Sequence, residues 1–175
     1  MNEPTESTGI FSEKNTEKLR EINRIIVSAV IISKDGKTLM GKKDPSQGGV
    51  YPDAWHIPGG GIEDGETMEM ALAREVLQET GINISGQAVT KLPQIGHGET
   101  QKTLKETGEK VWCKMEFNYF EIHIDQLAED IQLGTNDDLV ELKWFSKDEL
   151  SDVEQVPGGK DFFAEAGYIE KDQKR

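Results

Sequence analysis

Glu75, Gln78 and Glu79 stand at positions i, i+3 and i+4. In a helix that spacing puts all three on one face. Like charges one turn apart destabilise an isolated helix by roughly a few tenths of a kcal/mol. Pairing Glu75 with Glu79 therefore makes sense around a cation, and hard oxygen donors suit Mg²⁺ or Mn²⁺. Leu72, Ala73, Val76 and Leu77 fall on the other side and offer an apolar face for packing. From the helix alone, a Glu pair kept for solubility is the better reading. The preceding loop tips the balance. Gly59, Gly60 and Gly61 follow Pro58, and three successive glycines let the backbone come close to a ligand. Glu63, Asp64 and Glu66 bring further carboxylates to the same end. Glu66 and Glu69 also suit a helix N-terminus, where the dipole favours acids.

The elements that must hold these residues are legible around them. Residues 24–33 form a β-branched run that reads as a buried strand. Asp35-Gly36 signals a hairpin, with residues 38–42 returning. Residues 44–53 read as a loop and residues 54–57 as a short strand stopped by Pro58. The glycines and Glu63-Asp64-Gly65 form a turn-rich loop before the helix. Thr67 caps a helix over residues 67–80, and Gly81 ends it. A strand is expected over 89–95, a mobile polar excursion over 96–110, and a long strand over 111–124 with a bulge near Phe120. Residues 139–145 form another strand, Ser146 caps a short helix over 147–150, and a last helical segment covers 161–166. Strands flanking one strong helix predict an α/β fold, a mixed sheet with helices on its faces. Residues 1–20 read as a flexible tail and residues 21–175 as one domain.

Composition narrows the partners. The net charge of −13 repels polyanions, so nucleic acid polymers and anionic membranes are poor partners. Carboxylates that hold divalent cations would invert that sign locally and admit phosphates. The single cysteine, Cys113, permits no intramolecular disulfide and reads as a buried structural thiol. No apolar stretch is long enough to span a bilayer, and the N-terminus lacks a signal-peptide layout, which makes a cytoplasmic protein the default. Lys42 and Lys43 leave the second strand beside the loop, where a solvated pair is the simpler reading and contact with phosphates the alternative. Trp55 reads as core. His56 reads as a structural or substrate-side residue rather than a metal ligand, and His97 and His123 show no ligand spacing.

The stretch from Gly60 to Ile82 resembles the Nudix box, Gly-x5-Glu-x7-Arg-Glu-U-x-Glu-Glu-x-Gly-U with U aliphatic. Gly60, Glu66, Arg74, Glu75, Val76, Glu79, Gly81 and Ile82 match, eight of nine defined positions over 23 residues. The exception is Gln78, where the family has the first acid of its Glu-Glu pair. Looser likeness covers about residues 24–150, including Trp55-His56-Ile57-Pro58-Gly59 and Trp144-Phe145-Ser146.

The resemblance implies a Nudix-type α/β/α sandwich and a hydrolase that cuts the diphosphate bond of a nucleoside diphosphate linked to another group. It implies Mg²⁺ or Mn²⁺ held by Glu75 and Glu79 with the Gly59 carbonyl, Glu75 alternatively serving as base. Arg74 would orient the glutamates, and Lys43, Gly60 and Gln78 would meet substrate. Family members often add a later loop acid; Asp138 is the candidate, and beside Asn136 and Asp137 it is equally an ordinary turn acid. A small nucleotide-like substrate and a homodimer are the partners that kinship suggests. The runner-up is a catalytically weak nucleotide sensor on the same fold, motivated by Gln78. An isoprenoid diphosphate isomerase would need additional His, Cys and Glu positions that this sequence does not offer.

Overall fold

A computed structural model describes residues 18–47, 51, 53–134 and 139–171. The elements run β1 (Arg20–Ile32), β2 (Thr38–Lys43), β3 (Gly59–Gly61), α1 (Met68–Thr80), β4 (Val89–Thr103), β5 (Lys110–His123), β6 (Leu139–Phe145), α2 (Lys147–Asp152) and α3 (Gly159–Glu165). The sheet order is β4-β5-β1-β2-β6, and β3 pairs with β1. β1 and β5 are parallel over their whole length, while the other pairs are antiparallel. The result is the expected α/β fold with a mixed sheet.

β1 is the spine, because its side chains alternate between two cores. Val27, Ala29 and Ile31 pack with Ala71, Leu72 and Val76 of α1, and with Phe120 and Ile122 of β5. Val30 points the other way and packs with Met40, Trp55, Phe145, and Phe162 and Phe163 of α3. Helices therefore cover both faces. β2 leaves β1 immediately after the hairpin, their register being Ile32 with Thr38 only. Residues 56–61 fill the widening gap. His56 exchanges backbone hydrogen bonds with Gly41 of β2 at 2.9 and 3.0 Å, and Ala29 of β1 donates to the Pro58 carbonyl at 2.8 Å.

Several expectations require correction. The triple glycine is a strand, with Gly61, Gly60 and Gly59 opposite Ile26, Val27 and Ser28. Residues 54–57 hold only isolated bridges at Trp55 and His56. Glycine lacks strand propensity, and here tertiary pairing with β1 overrides it. The polar segment after residue 95 is not a mobile excursion but the outer half of β4, paired with β5 out to Thr103 and Lys110. Its even-numbered residues are half-buried and its odd-numbered ones exposed. The alternation passes unnoticed in sequence because Gly96, Gly98, Thr100 and Lys102 are not apolar. The register irregularity expected near Phe120 is there, between the Lys91–Phe120 and Ile95–Asn118 pairs, but its extra residues lie on β4 rather than β5. Pro93 sits inside it and has no N–H to give the ladder. On α1, Leu77 is exposed, and Thr80 rather than Leu77 joins the buried face. β1 begins at Arg20, within the segment read as tail; residues 1–17 lie outside the described ones.

Leu72 is fully buried between α1 and the sheet. Leu72→Ala is expected to lower stability by about 2–5 kcal/mol, from lost transfer energy plus the cavity left behind. A urea titration checks this, and a loss within experimental error would show that α1 is not anchored through that face.

Candidate active site

α1 is fixed at both ends. The Thr67 hydroxyl accepts the Met70 N–H at 3.2 Å. Gly81, with φ of 76°, closes the helix by donating to the Leu77 carbonyl. A side chain at Gly81 would also crowd the backbone of Gly134, 3.1 Å from the Cβ it would carry. With the helix so placed, its buried face contains two acids. Glu75 is 9% exposed and Glu79 is 6% exposed. Burying two carboxylates costs free energy unless each is paired or hydrogen-bonded.

β3 supplies part of that compensation by lacking side chains. The Gly59 N–H donates to Glu79 Oε2 at 2.8 Å. A Cβ on Gly60 would lie 2.4 Å from Glu75 Cδ and Oε1. The Glu75 carboxylate thus occupies the space where any other residue would project. Gly61 faces the opposite side, and its Cβ would collide with the guanidinium of Arg24. Successive glycines carry an acid on one side of β3 and a cation on the other, as strand alternation dictates.

Arg74 supplies the rest. Its Nε and Nη2 donate to the two oxygens of Glu66 at 2.6 and 2.8 Å, a bidentate pair. Nη1 donates to Glu75 Oε1 at 2.7 Å, and Nη2 also donates to the Gly61 carbonyl at 3.0 Å. One side chain therefore ties the loop before α1, the helix and β3 together. Hydrogen bonds from Arg74, helped by the Glu63 N–H, hold the Glu66 carboxyl at about 2, against an ordinary 4.5. The reciprocal bonds from Glu66, and then those from Glu75, raise the Arg74 guanidinium further, against the opposing effect of burial.

The remaining expected residues are not all gathered here. Gln78 is exposed and reaches only Arg74, with Oε1 3.3 Å from Nη1. Lys43 is half-buried at the end of β2, beside the register shift against β6. Lys42 places its ammonium 4.9 Å above the Trp55 ring, away from a phosphate role. Trp55 is core, edge-on to Phe145 at 4.8 Å. His56 Nδ1 lies 3.0 Å from the Ile57 carbonyl. His123 meets Glu121, and Cys113 is buried. Asp138 lies outside the described residues. Sequence reasoning overlooked Arg24. Its only signal there is a charge interrupting a strand-forming segment.

Among the described residues, no three His, Cys, Asp or Glu side chains converge as a metal-holding group. The site offers two buried carboxylates and backbone oxygens beside a strand without side chains. That donor set fits Mg²⁺ or Mn²⁺. Mg²⁺ keeps several waters and needs only one or two carboxylates when phosphate oxygens complete its shell. It does not fit a closed zinc site, which wants four protein ligands of nitrogen and sulfur character.

The depressed Glu66 carboxyl has a consequence for stability. An acid held lower in the folded than in the unfolded chain stabilises the fold when ionised. That contribution is complete above pH 4.5 and is lost as pH falls from there toward 2. Glu66→Gln is expected to lower the melting temperature at pH 7 and to flatten its fall between pH 4.5 and 2. Parallel acid limbs in both proteins would remove Glu66 from the account.

Comparison with known proteins gives the family and the fold. The NUDIX domain family model matches residues 22–166. A relative from Enterobacter sp. (strain 638), nucleoside triphosphatase NudI, is 27% identical over 139 residues, covering 79% of this chain and 94% of the relative. The solved MutT protein from Methanosarcina mazei Go1 superposes with a TM-score of 0.61 at 22% identity, over 86% of this chain and 96% of that one. The E. coli dihydroneopterin triphosphate pyrophosphohydrolase gives 0.61 at 18% identity, over 81% and 92%. With the family's domain matched across most of the sequence, this chain belongs to the Nudix hydrolase family.

Proposed function

We propose that this chain is a divalent-cation-dependent pyrophosphohydrolase acting on a small nucleotide, a nucleoside triphosphate or a nucleoside diphosphate joined to another group. One observation carries the reading: Glu75 and Glu79 are both buried, one helical turn apart, against a strand that has no side chains. Nothing in packing calls for two acids there, and apolar residues of similar volume would cost less. The name of the 27%-identical relative, a nucleoside triphosphatase, is in keeping with this substrate class. We take residues 21–175 as the working domain.

In this reading Glu75 and Glu79, with the Gly59 carbonyl, hold Mg²⁺ or Mn²⁺. The cation, once bound, neutralises phosphate charge and acidifies a water. Arg74 fixes Glu75 through Oε1, which leaves Oε2 to face the ligand or to accept a proton. The Gly59 N–H orients Glu79 through Oε2. Both acids are therefore oriented before substrate arrives, which lowers the cost of reaching a reactive geometry. Gly60 leaves room for the Glu75 carboxylate to lie against the backbone. Gln78, in place of an acid, reduces the negative charge near the site.

The test is incubation with Mg²⁺ or Mn²⁺ and a panel of nucleoside triphosphates, dinucleotides and nucleotide sugars, with detection of released phosphate, pyrophosphate and mononucleotide. Turnover of at least one class is expected. Silence across the panel with retained ligand binding would favour a sensor, the reading that Gln78 motivates. Glu79→Gln keeps an acceptor for the Gly59 N–H but loses the charge. It is expected to cost more than about 100-fold in turnover, exceeding what outer-shell partners of a metal contribute, with the melting temperature little changed. Near-wild-type turnover would sink the ligand assignment. Gly60→Ala drives a methyl into the Glu75 carboxylate and is expected to cut kcat by about 100-fold through misplacement alone; unchanged kcat would show that the position of Glu75 is immaterial.

A further inference from the structure

β4 lies at the edge of the sheet. It pairs with β5 on one side, and its outer edge carries no strand among the described residues. An open edge presents unpaired N–H and C=O groups, which folds blunt with proline, bulges or charge. The first half of β4 is blunted in this way, since Pro93 sits in the register irregularity between Lys91 and Ile95. Residues 95–101 contain neither proline nor irregularity, and Glu99 is their one carboxylate. On one face Ile95, His97, Glu99 and Gln101 are exposed. Trp112 Nε1 donates to Glu99 Oε2 at 2.9 Å, which orients that carboxylate and leaves Oε1 open. His97 has no hydrogen bond or ion pair among the described residues. On the other face Gly96 and Gly98 bear no side chains, and the half-buried Phe117 of β5 leans across them. Its Cε2 lies 3.2 Å from the place a Cβ on Gly98 would take.

Antiparallel pairing of this edge with the same edge of a second copy has few possible registers. Residues directly opposite share a face, so odd positions meet odd and even meet even. The two-fold axis therefore falls on one residue, which meets itself. Centring on Glu99 sets two carboxylates against each other, which is unfavourable. Centring on His97 sets Glu99 against Ile95, and centring on Thr100 sets it against Gln101. Centring on Gly98 sets His97 of one copy against Glu99 of the other, and the axis repeats that pair. An imidazole N–H can donate to a carboxylate whether or not the ring is protonated. The same register brings the two Phe117 rings over adjacent strands about 4.8 Å apart, within the range of an aromatic pair. Only glycine lies beneath them at the axis, so no side chain keeps them apart.

We propose that this chain forms a homodimer by antiparallel pairing of residues 95–101 with the same residues of a second copy, about a two-fold axis at Gly98. Two His97–Glu99 contacts specify the register on one face, and the Phe117 rings bury apolar surface on the other. The ladder ends where Pro93 removes a backbone donor. The interface uses neither Glu75 nor Glu79, so it stands or falls separately from the proposed hydrolysis.

The experiment is sedimentation equilibrium of the full chain, joined to cysteine crosslinking. The wild type is expected to be mostly dimeric at about 100 µM. His97→Glu gathers four carboxylates around the axis and is expected to raise the dimer Kd by about tenfold or more. Adding Glu99→His exchanges the two roles and is expected to tighten the dimer at least about threefold relative to His97→Glu alone. Gly98→Cys meets itself at the axis, where facing Cα atoms about 4.5–5.5 Å apart suit a disulfide. Mild oxidation should therefore link this variant into dimers, and should leave the wild type unlinked because Cys113 is buried. A Cβ at Gly98 crowds Phe117, so a second pair avoids that contact. Ile95→Cys and Gln101→Cys, both at exposed positions, should link only when the two variants are mixed. A wild type that stays monomeric at about 100 µM, or a dimer whose Kd His97→Glu leaves unchanged, would overturn the interface. Linking of Thr100→Cys with itself, in place of the mixed pair, would overturn the register.

Discussion

The Arg74 guanidinium is the contact on which the site depends. Two carboxylates, Glu66 and Glu75, and the Gly61 carbonyl all take their hydrogen bonds from it. Without it a buried helix acid would lose its guanidinium and a half-buried loop acid would keep only the Glu63 N–H as a donor among the described residues, on a chain already rich in negative charge. The planar fork matters as much as the charge. A bidentate grip on Glu66 fixes the plane of donors, and the remaining Nη1 is then aimed at Glu75 at 2.7 Å, with Gln78 at 3.3 Å beside it. A lysine would supply the charge without that geometry. The loop, helix and strand are therefore registered to one another by a single side chain.

The second constraint is steric. β3 is three residues long and entirely glycine. Its value lies in what it lacks, since the Glu75 carboxylate and the Arg24 guanidinium each occupy the place of an absent side chain. Backbone can thereby approach the acids closely, and the Gly59 N–H reaches Glu79 directly. The same strand wedges between β1 and the diverging β2, so the splitting of the sheet creates the space that the site uses. Fold and chemistry share one cause here: β1 and β2 separate after a single paired position, and a side-chain-free segment lines the opening.

Charge is sorted by the sheet. Glu75 and Glu79 come from the helix on one face, while Arg24 and Lys102 lie on the other. A strongly acidic protein repels anionic substrates at long range, so local inversion of the potential is needed wherever a polyphosphate is to be held.

The sequence by itself determined the helix, its caps and the order of the chemistry. Thr67, Gly81 and the spacing of Glu75 and Glu79 are local facts, because capping and the 3.6-residue turn act within a few residues. β1, β6 and the helix capped by Ser146 were legible for the same reason, their β-branched runs and cap residues being short-range signals. Tertiary structure decided the rest. Gly59–Gly61 is a strand only because β1 lies beside it, and the outer half of β4 is ordered only because β5 pairs with it over its full length. Neither segment has a pattern that predicts this, since glycine and alternating polar residues carry no hydrophobic period. Arg24 and Lys102 lie on one face of the sheet although their strands are far apart in sequence, and the parallel β1–β5 register that sets this cannot be inferred from either strand alone. Short-range chemistry was written in the order of residues, while the closeness of Arg24 to Gly61 was set by which strands became neighbours.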